Sequence, residues 1–361
     1  MSDPNKLSAR YTTMVVAALS LIVLTSVAFM VPVPYVTMSP GEPFNTLGSY
    51  KTTQGKLKPM FTFGAGVKTY RTSGALYFTT VSVRRADRPL SLAGAVKAYI
   101  DPNKAVVPKD LIYPDNETAE QSTAESAAQM AGSKDSSSVA ALRAAGYKVG
   151  ERPSVVQVVK GGAAFGKLVV DDVFLDVDGT KVTTPDQVVK AVGTHKPGET
   201  VRLTVERRGK RVVVPVVTRA DPKDKNVPRI GISIGVKYTY PITVTNNVDS
   251  RIGGPSAGTM FALAIYDKLT PGELTGGRKI AGTGEIADDG TVAPIGGVRQ
   301  KMAGAADKGA TIFLVPAANC AEATDGDDDG LKLVKISNLK DAISSLEALA
   351  KNPDAKVPSC S

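Results

Sequence analysis

The chain has no tryptophan, one histidine and two cysteines among its 361 residues, and only 6% of its side chains are aromatic. One histidine and two cysteines cannot supply the four Cys or His ligands of a usual structural zinc site, and no metal or other cofactor is expected. A serine nucleophile that depended on imidazole would have only His195 to draw on, in the loop Gly193-Thr194-His195-Lys196-Pro197-Gly198. Stacking aromatics and a basic stripe are both missing, which argues against nucleic acid as a partner although 44 Lys and Arg outnumber 35 Asp and Glu. The densest basic cluster, Glu206-Arg207-Arg208-Gly209-Lys210-Arg211, reads as a hairpin tip between Val-rich strands. What remains is ordinary globular composition, 42% hydrophobic and long enough for two or three domains.

Charge is also missing between Arg10 and Glu42, and the 18 residues from Met14 to Val31 are almost wholly apolar. A helix of that length just spans a bilayer. Lys6 and Arg10 precede it, so residues 1–36 read as a cytoplasmic tail and a single-pass anchor in the cell membrane, with everything after about Pro34 extracytoplasmic. The alternative is a cleaved signal peptide, with Ser26-Val27-Ala28 as its small-residue site. Either way Cys320 and Cys360 lie where oxidising conditions favour a disulfide, two buried thiols being the other reading. Closing that loop of ~40 residues stabilises a fold by about 4 kcal/mol.

Residues 37–145 read as a β-rich segment followed by a helical one. Met38-Ser39-Pro40-Gly41-Glu42-Pro43 is a turn signal, Gly74 to Val83 a β-rich run, and Asn116 to Ala145 helical, with Thr118 and Gln121 at capping-box spacing. No chemistry attaches to this segment from its residues. Residues 146–220 run through the strand Val155-Val156-Gln157-Val158-Val159, the connection Gly161-Gly162-Ala163-Ala164 and a strand ending in the turn Asp178-Gly179. A helix then opens at Thr184-Pro185-Asp186, and a Val-rich hairpin closes the unit. This order resembles a PDZ domain of the bacterial protease-associated kind. The resemblance implies a groove where a peptide adds as a strand, with Gly146, Tyr147, Lys148 and Val149 as the loop holding the peptide terminus. Gly161, Gly166 and Lys167 imitate a phosphate loop, but Leu168 stands where Ser or Thr would hold magnesium. Asp325 to Gly330 likewise imitates the start of a calcium loop whose twelfth position, Ile336, cannot chelate.

The charged, Pro-flanked stretch Asp221 to Pro228 reads as a domain boundary, with a last domain at 229–350 and a tail at 351–361. Gly253-Gly254-Pro255-Ser256-Ala257-Gly258 leads into an apolar helix, with Pro255 suited to its first turn. That placement gives Ser256 the unpaired amides and positive dipole end that steady an oxyanion. Farther on come Thr283-Gly284-Glu285-Ile286, the turn Asp288-Asp289-Gly290, and Pro294-Ile295-Gly296-Gly297 ahead of Lys301, which falls in the first turn of a helix from Met302 to Lys308.

Together with the strand Gly309 to Pro316, these motifs resemble, in unbroken order from Ile230 to Leu349, the proteolytic domain of Lon proteases. The resemblance implies Ser256 as nucleophile, Lys301 as base and Thr283 as its hydrogen-bonding neighbour; beside them Gly254 leaves room for a substrate backbone, Pro255 suits the first turn, and the amide of Ala257 helps to steady the oxyanion. It also implies a homo-oligomer, a hexameric ring. Such a lysine must be neutral to act, so burial must lower its pKa from about 10.4. Energy-dependent Lon proteins carry Asp where this chain has Gly253, and no ATPase machinery is present in the sequence.

The expected fold is therefore α+β: a transmembrane helix, a β-rich segment, a PDZ-like domain and a C-terminal Lon-type domain. The expected function is an ATP-independent serine endopeptidase acting on membrane or extracytoplasmic proteins, with the PDZ domain capturing or gating substrate. The alternative is a catalytically silent, membrane-anchored scaffold that binds peptides.

Overall fold

The computed structural model describes residues 4–51, 55–85, 87–113, 118–249, 251–325 and 327–360. Asn116 and Glu117, expected at the start of the helical segment, and Gly326 of the acidic turn lie outside them. The chain divides into two compact units, residues 1–145 with 244–361, and residues 146–243.

In the first unit the apolar N-terminal stretch forms the helix Pro4–Met30, of which Ala9–Met30 is long and apolar enough to cross a membrane by length and composition. The centre of the unit is a five-stranded sheet in the order Lys332–Ile336, Ile312–Pro316, Lys279–Gly282, Ala75–Phe78, Phe44–Asn45. The first four strands are parallel and Phe44–Asn45 is an antiparallel edge. Ile312–Pro316 and Ala75–Phe78 are buried at every position, as continuous apolar strands inside a parallel sheet must be. The β-rich segment is therefore no separate domain: Ala75–Phe78 fills a central sheet position beside Lys279–Gly282, more than 200 residues later in the chain.

The helix Gly258–Leu269 is apolar on nearly every side, and ten of its twelve residues are buried. It touches the Ala75–Phe78 strand, the long helix Ala119–Ala144 and the C-terminal helix Leu339–Lys351. Phe261 packs edge-on to Phe78 at 5.3 Å and to Phe61 at 5.9 Å, which fixes the helix against the sheet. The long helix starts at the capping box of Thr118 and Gln121.

The second unit is an antiparallel sheet in the order Lys210–Val217, Thr200–Arg207, Val173–Val177, Gly150–Val158, Ile232–Thr239. The helix Pro185–Gly193, capped by Thr184, contributes Val188 and Val192 to a core with Val155, Phe174, Leu203 and Ile230. Residues 221–228 do not end this unit, because Arg219–Ala220 pairs with Pro228–Arg229 and the chain returns as Ile232–Thr239 along the whole of Gly150–Val158. The strand Ile232–Thr239, expected at the start of the last domain, thus completes this sheet, and the unit runs on to residue 243.

Candidate active site

Ser256 lies in a turn one residue ahead of the N-cap Ala257 of the Gly258–Leu269 helix. Pro255 is consequently outside the helix rather than in its first turn. The reason is hydrogen bonding. The bonds that would extend the helix backwards go elsewhere: Thr259 N donates to Gly284 O at 3.1 Å, and Ser256 O accepts from Gly284 N at 2.9 Å. Pro255 O accepts from Gly258 N at 3.3 Å and from Ser133 Oγ at 2.9 Å. Among the described residues the amides of Ser256 and Ala257 have no acceptor. They are donors available to a developing oxyanion.

The long helix supports this turn from the other side. Ser126, Met130 and Ser133 share one face at i, i+4 and i+7. Ser126 O accepts from Gly254 N at 3.0 Å, and Ser133 Oγ holds Pro255. A side chain at Gly253 would run into Ser126, which accounts for the glycine at this position. Asp249, the other nearby acid, is engaged with Arg251, which holds its carboxyl down at about 2.

Lys301 sits on the helix Val298–Asp307, which begins earlier than the Met302 start expected from sequence, at the left-handed N-cap Gly297. Its side chain is 3% exposed. Burial pushes its pKa down to about 8, against a smaller upward pull from Glu322. Lys301 Nζ donates to Thr283 Oγ1 at 3.3 Å, and Thr283 Oγ1 donates to Ser256 O at 3.0 Å. With its own proton committed to Ser256 O, the Thr283 hydroxyl can only accept from the amine. The amine is thereby turned, and in its neutral form it keeps one lone pair for another proton.

Ser256, Ala257 and Lys301 line one cleft of about 310 Å³. Its remaining wall includes Glu42, Phe44, Thr79, Thr80 and Val81 from the β-rich segment, whose residues alone carry no sign of chemistry, and Met130 from the long helix. A second cavity of about 700 Å³ shares Glu42, Phe44, Arg251 and Ile252 with it and extends to Tyr50, Met60 and Tyr77.

Asn319 carries no signal in the sequence, yet it fixes the loop leading to Lys301. Its Oδ1 accepts from Ile295 N at 2.9 Å, and its Nδ2 donates to Ile295 O at 2.9 Å. The next residue, Cys320, is joined to Cys360 in a disulfide across 40 residues. That bond, together with the bridge between Val334 and Ser359, ties the tail into the sheet. Cys360→Ser is expected to lower stability by about 4 kcal/mol, the loop-closure value. Urea unfolding checks this, and with a reducing agent present the variant and the parent should coincide.

Gly146, Tyr147, Lys148 and Val149 precede the strand Gly150–Val158, which pairs along its length with Ile232–Thr239 and on its other side meets Val173–Val177 at Ser154. The loop thus leads into an interior strand of the sheet rather than an end strand. The end strands of the sheet are Lys210–Val217 and Ile232–Thr239. His195 belongs to this second unit, where its Nε2 lies 3.1 Å from Asp178 Oδ2.

Comparison with known proteins assigns residues 250–348 to the Lon protease (S16) C-terminal proteolytic domain and residues 129–218 to the PDZ domain. The Lon protease of Phenylobacterium zucineum is 36% identical over 95 residues, which are 26% of this chain and 12% of that protein. Lon protease 2 of Bacillus subtilis is 29% identical over 135 residues, 37% of this chain and 24% of that one. The chain therefore spans only a fraction of the length of these relatives. The PDZ domain of an SdrC-like protein from Listeria monocytogenes is 23% identical and covers 23% of this chain and 86% of its own, with a TM-score of 0.22. The protein thus joins a PDZ domain to a Lon-type proteolytic domain, and Ser256, Thr283 and Lys301 all fall within the latter.

Proposed function

We propose that the chain is an ATP-independent serine endopeptidase, held in the cell membrane by the Ala9–Met30 helix with its proteolytic domain outside. The observation that carries this reading is the buried Lys301, with its pKa near 8 and its amine oriented by Thr283, in the cleft that Ser256 also lines. In the proposed reaction Ser256 Oγ attacks the peptide carbonyl carbon and its proton passes to Lys301 Nζ. The amides of Ser256 and Ala257 hold the oxyanion. Lys301 then gives the proton to the leaving amine nitrogen as the C–N bond breaks. Water attacks the acyl-enzyme, its proton passing through Lys301 back to Ser256. Thr283 is a positioning residue that turns the lysine.

Substrate capture belongs to the PDZ domain, by addition of a peptide to the outer edge of Ile232–Thr239, beside which Ile232 and Ile234 pack on the core containing Val188 and Val192. The homo-oligomer, a hexameric ring, is part of the same proposal by likeness to Lon. The test is to incubate the full-length protein, in detergent and without nucleotide, with an unfolded protein substrate. Cleavage that Ser256→Ala abolishes supports the proposal. Equal cleavage by both proteins, or none by either, overturns it and leaves a peptide-binding scaffold.

A further inference from the structure

The helix Leu92–Tyr99 carries its apolar stripe on the wrong side for a soluble protein. Leu92, Val96, Tyr99 and Ile100 recur at i, i+4, i+7 and i+8, the spacing of a core-facing stripe, yet they are 37%, 46%, 81% and 74% exposed. Ala98 is the only buried residue of the helix. Two more exposed apolar residues, Tyr35 at 42% and Leu111 at 72%, lie at one end of the hydrogen-bonded pair of strands Tyr35–Pro40 and Ala105–Pro108 that the helix touches.

The position of this helix identifies what covers the stripe. Ala9–Met30 has 22 residues and so runs about 33 Å at 1.5 Å per residue, close to the ~30 Å hydrocarbon core. The next residue, Val31, accepts a hydrogen bond from Leu92 N at 3.0 Å. Pro32 and Val33 then pair with Ser91 and Leu90, and the two helices are in contact. The Leu92–Tyr99 helix, about 12 Å long, is thus pinned where the spanning helix leaves the bilayer core. Around it, from Arg84 to Asp110, the sequence has six Lys or Arg and three Asp. Outward apolar residues, a tyrosine at the end and a basic surround are what an interfacial helix presents to lipid.

We propose that Leu92–Tyr99 lies in the membrane–water interface beside the anchor, its apolar stripe among the lipid acyl chains. This rests on the reading of Ala9–Met30 as a retained anchor. A second copy of the chain or another protein on the same stripe is the competing occupant.

The chain has no tryptophan, so a single one reports on one place. The full-length protein carrying Tyr99→Trp, and separately Phe29→Trp within the span, is reconstituted in phosphatidylcholine–phosphatidylglycerol vesicles containing dibrominated lipid. At the ~5–10 Å depth of interfacial helices, the tryptophan at 99 should lose about half its emission to the bromines. Adding Leu92→Ser, Val96→Ser and Ile100→Ser should remove that quenching. If the tryptophan at 29 is quenched and that at 99 is not, whether exposed or shielded by protein, the interfacial helix is overturned while the anchor stands. If neither is quenched, the anchor reading fails and this proposal falls with it.

Discussion

Ser256→Ala, Lys301→Met and the double variant are expected to fall to one shared residual rate, each losing on the order of 10⁴- to 10⁶-fold in kcat. Groups that act as a unit do not lose activity additively, because once the nucleophile or its base is gone the other has nothing left to do. A double variant that loses the product of the two single losses would mean the residues act separately. Lys301→Met should also stabilise the protein. The lysine pKa is held at about 8 in the fold against 10.5 outside it, so as pH falls the unfolded chain takes up the proton first. The resulting destabilisation begins as pH drops through the unfolded value and is complete below the folded one. Converted at 1.36 kcal/mol per pKa unit it amounts to about 3 kcal/mol. Methionine removes it but leaves Thr283 Oγ1 without a donor, so a net gain of about 1–3 kcal/mol is expected at neutral pH. Urea unfolding at pH 7 should show that gain, and repetition near the unfolded lysine pKa should show it vanish. For the parent enzyme the same titration predicts a kcat/KM that rises with pH and levels off above about 8.

The residues that reveal chemistry from sequence are those whose local setting is unusual for their type. Ser256 and Lys301 are each unremarkable alone, but a Gly-Pro-Ser-Ala-Gly turn before one apolar helix and a Gly-Gly pair before another place both at helix starts. The residues that were not legible act across long separations. Ser126 and Ser133 grip Gly254 and Pro255 from more than 120 residues away, one through its carbonyl and the other through its hydroxyl, and neither contact leaves a pattern in either segment. Glu42, Phe44, Thr79 and Thr80 enter the cleft only because Ala75–Phe78 is a central strand of the same sheet. The four fully buried positions of that strand were the available signal, since a short unbroken apolar run suits a strand covered on both faces. The loop Gly146 to Val149 leads into an interior strand for a related reason. Which strand of a sheet is left with an open edge depends on where the chain returns, and here Ile232–Thr239 comes back from beyond a charged, proline-flanked linker to take the place beside Gly150–Val158.

Gly284→Ala is expected to lower stability by about 2–5 kcal/mol and, in whatever fraction folds, to cut kcat by on the order of 10²-fold. Two costs add in stability. The residue has φ +143°, a conformation that side chains other than glycine's rarely adopt, and an added Cβ would meet Thr259 Oγ1 at 2.6 Å and Val292 Cγ1 at 2.7 Å. The catalytic cost follows from what the backbone of Gly284 holds. Its N–H donates to Ser256 O at 2.9 Å, while its carbonyl accepts from Thr259 N at 3.1 Å and Thr259 Oγ1 at 3.0 Å. Both ends of the Ser256 turn are therefore referenced to this one residue, and the N–H of Thr283, beside it, donates to Leu314 O in the sheet at 3.3 Å. A shift that relieves the clash moves Ser256 against Lys301. Gly290→Ala supplies the comparison. Gly290 also has a positive φ, +88°, but its Cβ would lie 3.6 Å from Leu339 Cβ, an ordinary contact, and none of its hydrogen bonds reaches Ser256. It should cost about 1–2 kcal/mol of strain and leave kcat unchanged. Urea unfolding and single-turnover kinetics on both variants separate the two contributions. If Gly284→Ala loses stability yet keeps the parent rate per folded molecule, the turn is not what aligns the serine with its base.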